Sequence, residues 1–409
     1  MSSQPPTVPS DHIMGVYNRA SVVFERGEGV RLYSDTGEEY LDCVAGIAVN
    51  ALGHAHPRLV RALNDQAQKL WHISNIFRIT GQEELARRLT DASFADVAFF
   101  TNSGTEAVEL ALKLARKYQV ASGRPERIDV IGFEGAFHGR TYAAVFAAGN
   151  PSYTDGFGPD LPGYVNLPFG DLEAVAAAIG PTTAAILIEP VQGEGGARAA
   201  SDRYLQGLRR LCDEHGLLLM YDEIQCGLGR TGKLFTYEYS GAAPDVMMLA
   251  KALGGGFPVG ACLATAEAAK GMVVGTHGST YGGNPLAMAV ALAAFDEIAK
   301  PEMLEHVERL TAYFTQQLEG LRSRFPDVIA DVRGKGLLIG IKLAVNNRAF
   351  MQIARDQRLL VAGGGDNCIR LLPPLIMTED EAREVLDRLA LACEAARTQL
   401  LAPPAAVAS

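Results

Sequence analysis

The chain has 409 residues and carries 37 Lys+Arg against 47 Asp+Glu, a formal net charge of −10, which argues against a nucleic-acid or anionic-membrane surface as its main partner. That length exceeds what one hydrophobic core supports, and a composition of 48% hydrophobic and 21% charged residues is ordinary for a globular protein. No run of about 18 apolar residues occurs, so no membrane span is predicted.

Residues 1–11 are polar and Pro-rich. They lack the apolar core of a secretory signal and the Arg-rich character of a transit peptide, and read as a short disordered arm on a cytoplasmic protein. Residues 30–33 and 40–42 read as strands around Asp35-Thr36-Gly37, a hairpin signal. His54 and His56, beside Pro57, have no further ligand cluster nearby and read as satisfied loop histidines; no metal site is expected. A helix follows over 57–70. From about 95 to 248 the pattern changes to continuous apolar runs at 97–100, 130–133, 184–188, 217–221 and 246–249, alternating with amphipathic stretches such as 106–118 and 204–214. Runs of that kind are strands buried on both faces, and the alternation predicts an α/β fold with a largely parallel sheet.

Beyond about 297 the style shifts again. A long helix presents Met303, Val307, Leu310, Phe314, Leu318 and Leu321 on one face, strand-like 328–332 and 337–343 follow, and Thr378 with Glu381 forms a capping box for a last helix. The expected division is 1–58 as an arm and strands belonging to a smaller α+β domain, 59–296 as the large domain, and 297–409 as the rest of the small one. The six cysteines (Cys43, Cys212, Cys226, Cys262, Cys368 and Cys393) form no C-x-x-C pair and read as buried free thiols in a reducing compartment.

Ligands of open α/β sheets sit beyond the carboxyl ends of the strands, so the residues after each apolar run matter most. They include Thr101-Asn102-Ser103-Gly104-Thr105-Glu106, Phe137-His138-Gly139-Arg140, Glu189 with Gln192-Gly193-Glu194-Gly195-Gly196, Asp222-Glu223-Ile224-Gln225, and Lys251 before Gly254-Gly255-Gly256. Ser103-x-x-Glu106 is a capping box opening a helix whose free N–H groups suit an anion, with Gly104 allowing close approach and Ser103 and Thr105 adding hydroxyls; a plain helix cap would look the same. Partial burial of Lys251 would lower its pKa from about 10.4 and make the amine nucleophilic, as a Schiff-base lysine requires; a lysine snorkelling at a strand end is the alternative. Asp222 could hold a ring nitrogen protonated, or simply form a turn. Gly227-x-Gly229-x-x-Gly232-Lys233 spells a dinucleotide pattern without the following helix, and nearly a phosphate loop, but Leu234 stands where the magnesium-binding hydroxyl belongs.

Five strings in order resemble the class III, ornithine-type aminotransferases: Ser103-Gly104-Thr105-Glu106-Ala107, Phe137-His138-Gly139-Arg140-Thr141, Glu189-Pro190-Val191-Gln192-Gly193-Glu194-Gly195-Gly196, Asp222-Glu223-Ile224-Gln225 and Gly278-Ser279-Thr280-Tyr281-Gly282-Gly283-Asn284-Pro285. The resemblance spans about 22–378. It implies the fold type I of pyridoxal-phosphate (PLP) enzymes, like aspartate aminotransferase, with PLP as cofactor. By the same resemblance Lys251 carries PLP and shuttles the proton, Asp222 pairs with the pyridine nitrogen, Gln225 reaches the phenolic oxygen and Phe137 stacks on the ring. Ser103, Gly104 and Thr105 would bind the phosphate, completed by Thr280, with Ser279 beside it, from the second subunit of a homodimer. Arg140 and Arg370 would clamp substrate carboxylates, Glu194 covering Arg370 when a mono-carboxylate donor is bound. The implied reaction moves the terminal amine of N-acetylornithine to 2-oxoglutarate, in arginine biosynthesis. Succinylornithine, succinyl-diaminopimelate, ornithine or 4-aminobutyrate are alternative donors. A non-catalytic PLP-binding regulator and a nucleotide-binding module are the readings of a different class.

Overall fold

A computed structural model describes residues 12–401, so the arm predicted over 1–11 lies outside the described residues. Its centre is a seven-stranded sheet in the order Val97–Thr101, Gly260–Ala264, Val246–Leu249, Leu218–Asp222, Thr183–Ile188, Asp129–Phe133, Tyr164–Leu167. Only Gly260–Ala264 runs against the others, pairing antiparallel with both of its neighbours. The sheet is therefore mixed but mostly parallel, as the alternating pattern predicts. Every residue of Thr183–Ile188, Leu218–Asp222 and Val246–Leu249 is buried, which explains why these strands read as unbroken apolar runs.

Two strands of this sheet escape the sequence pattern. Gly260–Ala264 is built from Gly, Ala, Cys and Leu, a poor intrinsic strand former; pairing on both edges and complete burial override its propensity. Tyr164–Leu167 closes the far edge of the sheet beside Asp129–Phe133 and alternates too weakly to stand out.

Helix Gly104–Ala121 lies against the sheet through Ala107, Val108, Ala111, Leu114 and Ala115. Its cap differs from a simple capping box. Ser103 Oγ accepts from the Glu106 amide at 3.4 Å, but the Glu106 carboxylate accepts from the amide of Asn102, at 2.5 Å, rather than from Ser103. The last helix, Glu379–Ala396, has the full reciprocal box between Thr378 and Glu381.

The long helix Pro301–Arg324 buries Val307, Leu310, Phe314 and Leu318 against a four-stranded antiparallel sheet that contains Ile329–Lys335, Leu338–Leu343 and Cys368–Leu371. The N-terminal strands Phe24–Glu28, Arg31–Ser34 and Glu39–Asp42 join the C-terminal part directly, because Leu41 and Leu359 pair in a parallel ladder. All six cysteines are free and buried. His54 is satisfied by Asp42 at 2.8 Å, whereas His56 keeps a buried Nδ1 with no partner among the described residues, contrary to the expectation for it. Among the described residues no helix is long and apolar enough to cross a membrane.

Candidate active site

The carboxyl ends of the central strands open on a cavity of about 430 Å³. Ser103, Gly104, Thr105, Phe137, Arg140, Asp222, Gln225 and Lys251, drawn from the ends of four separate strands, all line it. The topology is what brings them together: parallel strands end on the same rim, so each contributes its next few residues.

Lys251 follows the buried strand Val246–Leu249 and opens a short 3-10 turn, with φ +46°. A non-glycine residue in the left-handed region carries strain that surrounding structure must hold, a feature that clusters at functional sites. Burial penalises its ammonium form and lowers the pKa to about 8, with Arg370 acting the same way and Glu194 opposing it. The neutral amine is therefore far more populated near physiological pH than on an exposed lysine.

Asp222 ends its strand fully buried and is fixed at both oxygens. Oδ1 accepts from the Ile224 amide at 3.0 Å, and Oδ2 lies 2.8 Å from His138 Nδ1. Burial alone would discharge the His138 ring; the hydrogen bond and charge of Asp222, with Glu189 adding, outweigh it and raise the pKa. Glu189 is buried too, accepting from the amides of Phe137 (3.0 Å) and Gly193 (3.3 Å), and burial raises its pKa to about 7. His138 and Glu189 both line the cavity. Both stand inside the sequence motifs, where neither carries an assigned role. Their signal was position after a strand end; their burial beside Asp222 was not visible.

The first turn of helix Gly104–Ala121 borders the cavity with amides suited to an anion. Amides at a helix start have no intrahelical partner and favour negative charge. A Cβ on Gly104 would stand 2.8 Å from Ile224 Cδ1, so only glycine lets Ile224 pack there. The loop after Phe137 seals the other side, where the Thr105 and Thr141 hydroxyls meet at 2.8 Å.

The two arginines are held differently. Arg140 stacks its guanidinium on Tyr153, 3.7 Å from the ring centroid. Arg370 is buried outside the lining, its Nη2 2.7 Å from Glu194 Oε1 and its Nη1 donating to Gln225 Oε1 at 2.9 Å. The expected Glu194–Arg370 pair is thus present. Gln225, read as a cofactor contact, also braces Arg370.

Ser279 and Thr280 are not brought into the cavity by their own chain. Ser279 Oγ accepts from the Gly282 amide at 2.9 Å and stands 3.4 Å from Asn102 Nδ2. A further feature had no sequence signal: Ala45, Gly46, Ile47 and Ala48 all have positive φ, a left-handed turn that delivers Val49 to the cavity.

The family model for aminotransferase class III matches residues 14–393. This chain belongs to the class III aminotransferases. It is 68% identical, over 97% of its length and 98% of the relative's, to acetylornithine aminotransferase 2 of Caulobacter vibrioides. It is similar to the crystal structure of N-acetylornithine aminotransferase from Stenotrophomonas maltophilia (39% identity, TM-score 0.82, covering 93% and 97% of the two chains). The ornithine aminotransferase of Toxoplasma gondii superposes with a TM-score of 0.90 at 32% identity, covering 95% and 94%. Class III aminotransferases bind PLP, and this aminotransferase is PLP-dependent. The residues present fit that group: a buried amine of lowered pKa, a buried anchored carboxylate, an aromatic ring and a helix-start anion cradle share one cavity.

Proposed function

We propose that the enzyme transfers the terminal amino group of N-acetylornithine to 2-oxoglutarate, yielding N-acetylglutamate semialdehyde and glutamate, as a cytoplasmic step of arginine biosynthesis. The observation that carries this reading is the contrast between the two arginines. Arg140 makes no ion pair among the described residues and faces the cavity, whereas Arg370 is neutralised by Glu194. N-acetylornithine offers one carboxylate and 2-oxoglutarate offers two. Arg140 would serve both substrates by a bidentate fork, and Arg370 would be released from Glu194 only for the dicarboxylate, so neither state leaves a buried arginine unpaired. The high identity to a relative named for acetylornithine supports the donor over ornithine; backbone similarity does not separate the two.

When bound, PLP supplies an aldehyde that accepts amines and a pyridinium that withdraws electrons from the neighbouring carbon. Asp222, oriented by His138 and the Ile224 amide, would keep the ring nitrogen protonated. Phe137 would stack on the ring, Gln225 would reach the phenolic oxygen through its free amide nitrogen, and Ser103, Gly104 and Thr105 would hold the phosphate. The Lys251 amine would then take the proton from the substrate carbon that bears the amine, a task suited to a base whose pKa lies near 8.

The division at residues 58 and 296 is part of the same proposal; the Leu41–Leu359 pairing supports grouping the N-terminal strands with the C-terminal part. So is a homodimer in which Thr280 and Ser279 reach the partner's site. A half-reaction screen tests the donor. N-acetylornithine should shift the cofactor absorbance at lower concentration than succinylornithine, ornithine or 4-aminobutyrate, and a preference for any of those would overturn it.

A further inference from the structure

We propose that Tyr153 is a positioning residue for substrate carboxylates: it holds the flat face of Arg140 so that the guanidinium edge stays free for the ligand. The inference rests on the reading of Arg140 as a carboxylate clamp and adds the device that keeps it available. Arg140 donates no hydrogen bond and joins no ion pair among the described residues, yet its guanidinium carbon lies 3.7 Å from the Tyr153 ring centroid and 5.6 Å from that of Phe137. The two rings meet edge to face, 5.9 Å apart at 90°.

Cation–π stacking suits this task because it uses none of the five N–H donors. A carboxylate partner would fix the arginine equally well but would occupy the fork that the substrate needs and would have to be displaced at every turnover. Arg370 is held in that second way, by Glu194 and Gln225, which suits a clamp needed for one substrate only. Arg140, held by a ring, is ready for both. The ring also touches the aromatic residue expected over the cofactor, so Tyr153 sets the carboxylate clamp relative to the reacting plane.

The local sequence is built to bring Tyr153 there. Helix Tyr142–Ala148 ends at Gly149 in the left-handed conformation (φ +63°), where a Cβ would lie 2.1 Å from Asn166 Nδ2. Asn150 then caps the short turn Pro151–Thr154, its Oδ1 accepting from the Ser152 amide at 3.0 Å and its carbonyl from Tyr153 at 2.9 Å. The Tyr142 hydroxyl bonds the Phe157 carbonyl and closes the loop beyond. The chain reverses and returns Tyr153 over Arg140.

The test is steady-state and half-reaction kinetics of the PLP-loaded Tyr153→Leu, Tyr153→Phe, Arg140→Ala and Tyr153→Leu/Arg140→Ala enzymes. Tyr153→Leu should raise KM for both N-acetylornithine and 2-oxoglutarate about fivefold, leave the rate with a carboxylate-free primary amine unchanged, and be rescued by Tyr153→Phe. It should add nothing in the Arg140→Ala background. Unchanged KM in Tyr153→Leu, while Arg140→Ala weakens both carboxylates, would overturn the inference and leave the clamp standing. Equal loss with the carboxylate-free amine would mark a merely structural role and overturn it as well. An Arg140→Ala enzyme with normal KM values would remove the clamp and the inference together.

Discussion

Lys251 and His138 carry the sharpest expectations for single side chains. The Lys251 pKa is lowered from 10.5 to about 8 because its ammonium is buried. Only the neutral amine attacks an aldehyde, so the rate at which cofactor-free enzyme captures added PLP should climb from pH 6 to about 8 and flatten above. A profile still rising steeply towards pH 10 would contradict the burial argument, and Lys251→Ala should capture none covalently at any pH and lose nearly all turnover. His138 acts one bond further out. Its Nδ1 is one of two groups fixing Asp222, and its charged form is favoured by Asp222 and Glu189 despite burial. A hydrogen bond to a charged group contributes about 1.5–3 kcal/mol, so His138→Leu should slow the amine half-reaction on the order of tenfold or more. Stopped-flow absorbance at saturating donor measures it; an unchanged rate would reduce His138 to packing.

At the level of strands, helices and loops, legibility followed burial. The strands Thr183–Ile188, Leu218–Asp222 and Val246–Leu249 could be read because full burial writes a continuous apolar run, and their ends led directly to Glu189, Asp222 and Lys251. Gly260–Ala264 could not, because its partners on both sides, rather than its own residues, decide its state. The left-handed turn Ala45–Ala48 was equally hidden; nothing in Ala-Gly-Ile-Ala announces it, and Asp42, accepting from the amides of Val44 and Ala45 at 2.9 Å, helps impose it from outside. Loop-to-loop contacts belong to the same class. Gly139 has φ +121°, and a Cβ there would stand 2.1 Å from Thr105 Oγ1 and 2.9 Å from Thr105 Cα. The loop after Phe137 can close on the helix start only because that position lacks a side chain. Gly139→Ala should therefore push Thr105 out of the cradle and weaken PLP binding by about tenfold or more, since both the φ strain and the clash oppose closure. Titration of the cofactor-free variant with PLP checks this, and unaltered affinity would show that the loop relaxes freely.

For the whole molecule, the question is how the parts that hold the site are joined, first within a chain and then between chains. Within the chain, Arg230 is buried with no carboxylate partner among the described residues and donates from Nη1 to the carbonyls of Pro373, at 2.5 Å, and Leu337, at 3.3 Å, with burial lowering its pKa to about 10. It fixes the loop beyond Asp222 to the segment that follows Arg370, so the two sides of the proposed site are held to each other. As for a second chain, two segments of the same chain, around Trp71–Phe77 and Val273–Gly282, abut: Asn75 Nδ2 donates to the carbonyls of Ser279 and Gly282, both at 2.9 Å. Together they expose Trp71, Ile76, Phe77, Val274 and Tyr281. An apolar surface of this kind is costly to leave in water; the proposed homodimer would cover it, and Thr280 beside it would reach the partner's site. Complementation separates this arrangement from its alternatives. Lys251→Ala lacks the amine, and Thr280→Asp would bring a carboxylate to the phosphate; each alone should be inactive. When the two chains are co-expressed, about half of the dimers are mixed, and each mixed dimer contains one site with native Lys251 from one chain and native Thr280 from the other. Activity should return to about a quarter of the unmutated enzyme's, with that fraction of sites intact. If Thr280 served its own chain's cavity, every site in a mixed dimer would carry one lesion and none would work. Absence of recovery in chains that demonstrably associate would therefore place Thr280 outside any shared site.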